Sequence, residues 1–177
     1  MTPDGAVIRN ATSSDRDAIR ALVLAAFSGD DHDGHEEVEM VTSTWALGAT
    51  ALGLELVAEM DQAIVGHVLA AWGDLGGRDV VGVAPLAVSP SQQGQGFGSA
   101  LMIELLRRAE AAALPLVVLL GHPGFYRRFG FEAAGPLGIT YRAVGEGNPN
   151  FQVRRLGGYD ESCRGDFTYC WESQRRR

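Results

Sequence analysis

Between Val88 and Leu101 the chain reads Val88-Ser89-Pro90-Ser91-Gln92-Gln93-Gly94-Gln95-Gly96-Phe97-Gly98-Ser99-Ala100-Leu101. An apolar run stops at a proline, and a glycine-rich turn leads straight into a segment with helical periodicity. The first turn of any helix has N–H groups without partners and the positive end of the dipole. Glycines at 94, 96 and 98 remove the Cβ atoms that would keep a ligand away from those groups. The combination suits a phosphate or pyrophosphate. Spacing separates the ligand classes that use this device. A nucleotide P-loop ends in Gly-Lys-Ser/Thr, whereas Gly98 is followed by Ser99-Ala100. The dinucleotide fingerprint is Gly-x-Gly-x-x-Gly after the first strand of a parallel array. Here the glycines fall as Gly-x-Gly-x-Gly, and the turn follows about the fourth strand.

Three further places carry reactive side-chain types. The first is Gly121-His122-Pro123-Gly124-Phe125-Tyr126-Arg127-Arg128-Phe129-Gly130-Phe131. Its aromatic residues can form a core cluster, and histidine is the side-chain type that titrates near neutrality. The second is Glu36-Glu37, which opens a helical segment and can stabilise its first turn. The third is Asp30-Asp31-His32-Asp33-Gly34-His35. It has metal-ligand residue types without a ligand spacing, so it reads as a solvated loop and no metal is expected.

The elements that must position these residues follow from periodicity. Residues 6–9 read as a first strand. In 17–27, Ile19, Leu22, Val23 and Ala26 share a helical face. A second helix is expected over 36–47, with Val38, Met40, Val41 and Trp45 inward. Segments 54–60 and 63–72 read as a hairpin around Asp61-Gln62, and 79–88 as a long strand ending before Pro90. Segment 97–114 is the most periodic, with Leu101, Met102, Leu105, Leu106, Ala109 and Ala113 on one face. A buried strand at 116–120, a short helix near 123–129 and strands at 151–156 and 166–171 complete the order β-α-α-β-β-β-α-β-α-β-β. That is a mixed α+β fold, expected as one domain over 1–177.

Composition narrows the setting. The net charge of −7 argues against nucleic acid as the main partner and admits a cationic one. The apolar runs are too short for a membrane helix, and Met1-Thr2-Pro3-Asp4 carries no basic region followed by an apolar one. Cys163 and Cys170 match no metal pair and are too few for a disulfide framework, so a cytoplasmic protein with reduced thiols is expected. Arg175-Arg176-Arg177 reads as a short basic tail.

Gln93-Gly94-Gln95-Gly96-Phe97-Gly98, preceded by Val88-Ser89-Pro90, resembles the acetyl-CoA loop of the GNAT acyltransferases. Tyr126, Gly130 and Phe131 fit the Tyr-x-x-x-Gly-Phe motif that the family places after the next strand. The element order is similar over about residues 6–133. The resemblance implies a GNAT-like fold, a central, mostly antiparallel sheet with a βαβ coenzyme-binding unit flanked by helices. It implies acetyl-CoA as co-substrate, with the pantetheine arm along Leu86, Ala87 and Val88. The pyrophosphate would lie on the amides of Gly94, Gln95, Gly96, Phe97, Gly98 and Ser99, with Gln93 also in the coenzyme-binding loop. The N–H of Val88 or a neighbour would polarise the thioester carbonyl. Tyr126 would be the general acid to the leaving thiolate.

The activity implied is direct transfer of an acetyl group to a primary amine of a small molecule or peptide. A coenzyme-binding sensor of the same fold is the alternative. A homodimer fits the family's habit. Two features depart from the family pattern. Leu119 stands where many members have a pantetheine-binding Asn. The strand before the loop has no Glu, a frequent site of the general base. Glu36 or Glu37, His122, and a water chain ending on a backbone carbonyl remain as candidates for the base.

Overall fold

Helical spacing of apolar residues forms the two N-terminal helices, and long apolar runs form the central strands. The computed structural model describes residues 2–29, 32–145 and 147–175. Asp30 and Asp31 of the polar loop, and Arg176 and Arg177 of the basic tail, lie outside them, as do Met1 and Glu146. In chain order the elements begin with β1 (Val7–Asn10), α1 (Arg16–Phe27), β2 (Ser28–Gly29), β3 (His32–Asp33) and α2 (His35–Ala46). The long strands β4 (Thr50–Met60), β5 (Ala63–Leu75) and β6 (Arg78–Val88) follow, then α3 (Phe97–Ala111) and β7 (Leu116–Leu120). The last part holds α4 (Pro123–Tyr126), β8 (Glu132–Ala133), β9 (Ile139–Thr140), β10 (Phe151–Arg155), β11 (Gly165–Tyr169) and α5 (Cys170–Arg175). The hydrogen-bonded strand order is β1-β4-β5-β6-β7-β10-β8, with β11 pairing β5 and β9. This is the mixed, mostly antiparallel sheet with flanking helices expected from the sequence.

The chain divides into two compact units, Met1–Ala70 with Ala84–Leu105, and Ala71–Val83 with Leu106–Arg177. In the first, β1 lies antiparallel to β4, from Val7 opposite Glu59 to Asn10 opposite Leu56. Ile19, Val23, Val41, Leu56, Leu69, Leu101, Met102 and Leu105 are fully buried. Gly66 lets β5 close on α3: a Cβ there would come within 2.9 Å of Leu101 Cδ1. The start of α1 is fixed by charge. Arg9 grips Asp15 with both terminal nitrogens (2.7 and 3.0 Å) and donates its Nε to Glu59 (2.9 Å). Asp15 also accepts from the Thr12 N–H at 2.7 Å, as in a capping box.

In the second unit β7 is central. It is parallel to β6 over Val81–Val83 opposite Val117–Leu119 and antiparallel to β10 along its whole length. Tyr169 lies over Gly82, where a side chain would collide with its ring, and donates its hydroxyl to the Val83 carbonyl (3.0 Å). Tyr141, Phe151, Phe167, Tyr169 and Trp171 pack as one aromatic group.

Three differences from the sequence reading have physical reasons. The last strand ends at Tyr169 and Trp171 is helical. The Glu172 carboxylate accepts the Tyr169 N–H (2.9 Å) and the Tyr141 hydroxyl (2.6 Å), so the chain turns into α5 at Cys170, inside the segment expected to be strand. α3 stops at Ala111, because the residue before Pro115 cannot stay helical. Ala113 therefore leaves the helical face, is exposed and has φ 54. The two-residue strands β2, β3, β8 and β9 are too short for any period to register.

Candidate functional site

The turn before α3 has the backbone that its glycines permit. Gly94 and Gly96 have φ of 77 and 96, a region L side chains rarely enter. The first bond of α3 runs from the Ala100 N–H to the Gly96 carbonyl at 2.9 Å. The amides of Phe97, Gly98 and Ser99 are thus first-turn amides, which no carbonyl four residues earlier serves. Phe97 is 1% exposed and anchors the helix start in the core. Gln93 donates its side-chain amide to the Val88 carbonyl (3.2 Å) and Gln95 donates to the Ser91 carbonyl (3.1 Å), so both glutamines brace the turn. No Arg or Lys occurs in residues 89–101. Within this segment an anion would meet main-chain dipoles and the helix end. Leu86, Ala87 and Val88 form the end of β6, with Ala87 buried and the other two half-buried. These residues fall in the first unit, as does Glu37.

Glu37 lies in the first turn of α2. Both its carboxylate oxygens face His32 Nε2, at 3.0 and 2.9 Å. The pair raises the His32 pKa, through the hydrogen bond first and the opposite charge second. Glu36 is exposed on the same turn. Among the described residues no group of three His, Cys, Asp or Glu side chains could hold a metal ion.

Tyr126 and His122 belong to the second unit. Tyr126 packs edge-on against Phe125 (4.9 Å between ring centres) and Phe131 (5.8 Å). Its ring covers Gly121, where a side chain could not fit. Loss of solvent pushes its hydroxyl up to about 12, so it stays protonated across the working pH range. His122 is exposed and caps α4, its Nδ1 accepting the Gly124 N–H at 3.1 Å. With Nδ1 accepting, the neutral ring carries its proton on Nε2.

The sequence reading passed over a polar network in the first unit. Glu55 Oε1 accepts from Trp45 Nε1 (2.9 Å) and from His67 Nε2 (3.0 Å). The Glu55 side chain is 14% exposed and His67 is 0% exposed. His67 Nδ1 is buried and has no hydrogen-bond partner among the described residues, a defect of about 1–3 kcal/mol. The signal was available: Glu55 and His67 interrupt apolar strand runs, where polar residues require partners.

Residues 53–133 match the family described as Acetyltransferase (GNAT) domain. The chain is 34% identical over 152 residues to the uncharacterized N-acetyltransferase YhbS of Escherichia coli K12, covering 85% of this chain and 87% of that protein. The crystal structure of YhbS from Escherichia coli in complex with CoA superposes with a TM-score of 0.83 at 33% identity, over 96% of this chain and 92% of that one. A GNAT family acetyltransferase from Brucella melitensis, solved with acetyl-CoA, gives 0.77 at 32% identity, over 93% and 95% of the two chains.

Proposed function

This chain belongs to the GNAT family of N-acetyltransferases, and from that premise we propose that it carries an acetyl group from acetyl-CoA to a primary amine by direct transfer. Relatives with CoA and acetyl-CoA bound support the choice of coenzyme. The observation that carries the reading in this chain is the turn at Gly94–Ser99, where main-chain N–H groups at a helix start suit a diphosphate.

In this reading the pyrophosphate lies on the amides of residues 94–99 and the pantetheine arm follows Leu86–Val88. The Val88 N–H or a neighbouring one polarises the thioester carbonyl. The amine nitrogen attacks that carbonyl and the thiolate leaves. Tyr126, kept neutral by burial, donates to the sulfur as negative charge develops on it. Glu37 and His122 fit the base role less well than Tyr126 fits the acid role. Glu37 faces His32 with both oxygens, and His122 commits Nδ1 to its cap. The acceptor is a small amine or a peptide amine, in keeping with the net charge of −7.

A thiol-release assay with acetyl-CoA and a panel of primary amines tests this. All 15 basic residues of the chain are arginine, so lysine self-acetylation adds no background. Turnover with at least one amine, and thermal stabilisation by acetyl-CoA but not by NADPH, are expected. Stabilisation by NADPH alone would reverse the reading.

A further inference from the structure

The Trp45–Glu55–His67 network has no task in the coenzyme-binding reading. Its members come from three elements of the first unit, α2, β4 and β5. Four other carboxylates of that unit lie against cationic side chains or a surface histidine: Asp15 and Glu59 against Arg9, Asp17 against Arg20, Glu37 against His32. Glu55 is held by ring N–H groups of Trp45 and the wholly buried His67. An ionised carboxylate has about four acceptor positions, so two donors leave room for an ammonium.

His67 is unexplained by packing. An apolar ring would fill the same space without leaving a buried nitrogen unpartnered. What the imidazole supplies is the Nε2–H that Glu55 accepts. β5 also brings the pair close to the strand assigned to the coenzyme arm. Two residues before His67, the Val65 carbonyl accepts the Ser89 N–H at 2.9 Å. At the intervening Gly66, a Cβ would lie 3.6 Å from the Ala87 carbonyl.

We infer that Glu55 is the general base that takes a proton from the acceptor's ammonium, with Trp45 and His67 as positioning residues for its carboxylate. This rests on the acetyltransferase reading above. One proton passes from R–NH3+ to Glu55 and on to water. The freed lone pair forms the N–C bond to the acetyl carbon, and the C–S bond breaks with its electron pair on sulfur. The second proton lost by nitrogen balances the one the thiolate gains. The products are the acetamide, the free thiol and one proton.

The test uses spermidine, lysine amide and a peptide with a free N-terminus as acceptors, with acetyl-CoA affinity measured by calorimetry beside each kinetic run. Glu55→Gln keeps the side-chain shape and an acceptor for both ring N–H groups, so the fold should persist by circular dichroism. It should lower kcat about 100-fold, the scale of a lost general base, with acetyl-CoA affinity unchanged. Sodium formate should restore part of the activity of Glu55→Ala and none of that of Glu55→Gln. Trp45→Phe and His67→Gln should lower kcat about tenfold at unchanged KM for acetyl-CoA, as misplacement of a base does. If Glu55→Gln keeps kcat within about threefold on an amine the wild type acetylates, less than the usual loss of a general base, Glu55 is not the base and the acetyltransferase reading stands. If Glu55→Ala loses acetyl-CoA affinity along with kcat and formate restores nothing, Glu55 is structural. If the wild type acetylates none of the three amines, both readings fall together.

Discussion

The turn before α3 and the network around Glu55 lie in the same unit and are built on opposite plans. The turn is main chain laid bare, with Gly94 and Gly96 at positive φ and Gln93 and Gln95 bracing it from either side. On the proposed reading it would meet an anion with dipoles and no basic side chain of its own. The network is side chain buried, with Trp45, Glu55 and His67 drawn from separate elements and one ring nitrogen without a partner among the described residues. The contrast teaches where each kind of chemistry is stored. Recognition of a diphosphate needs only a shape that alternating glycines within one short segment allow. Handling a proton needs a charge at a defined exposure, and only tertiary packing supplies that.

The largest expected effect separates the two plans. Glu55→Gln should cost about 100-fold in kcat and leave acetyl-CoA affinity alone, whereas any damage to the turn should act on affinity first. Tyr126→Phe comes next, with about a 10- to 100-fold fall in kcat from loss of the proton donor and little change in acetyl-CoA affinity. Because burial raises the Tyr126 hydroxyl to about 12, its proton is retained through alkaline pH. The wild-type and Tyr126→Phe profiles should therefore keep the same shape between about pH 6 and 10; an alkaline limb present in the wild type alone would assign Tyr126 a different protonation state.

His122→Asn should be milder. Asparagine can still cap α4, so kcat should stay within about threefold of wild type and melting should shift little. A much larger fall in kcat at unchanged stability would return His122 to the base role.

The smallest effect concerns the frame. Arg9 first, with the Thr12 hydrogen bonds opposing the effect of burial, holds the Asp15 carboxyl well below the usual carboxylate range. A carboxyl depressed in the folded state stabilises the fold above its unfolded pKa, and that contribution is lost as pH falls through the folded value. Asp15→Asn should therefore cost about 1–2 kcal/mol in urea denaturation at pH 7. The gap between variant and wild type should narrow as pH falls below about 4; a constant gap would mean that packing, not the Arg9 pair, sets it.

How much of this was legible in the chain follows the same division. Gln93–Ser99 and Tyr126-Gly130-Phe131 were readable because each motif is contiguous and its geometry is local. The main helices and the long strands were readable because Ile19, Leu22 and Val23 on α1, or Leu101, Met102 and Leu105 on α3, repeat at the helical period. The start of α5 was not, since it depends on Glu172 reaching Tyr141 across 31 positions. Glu37 looked like a helix-capping acid and instead pairs with His32, a contact between β3 and the first turn of α2. Glu55 and His67 were visible as polar interruptions of apolar strands. Their partnership, and the help of Trp45, emerged only when α2, β4 and β5 were placed side by side.

The claim on which the rest depends is that the main chain at Gly94–Ser99 holds the coenzyme. Calorimetric titration of acetyl-CoA into Gly96→Val tests it most directly, with circular dichroism to verify the fold. At φ 96 a branched side chain must shift the turn and its amides. A loss of affinity of at least about tenfold is expected, the worth of one hydrogen bond to a charged group. A folded Gly96→Val protein that binds acetyl-CoA as tightly as wild type would contradict the account.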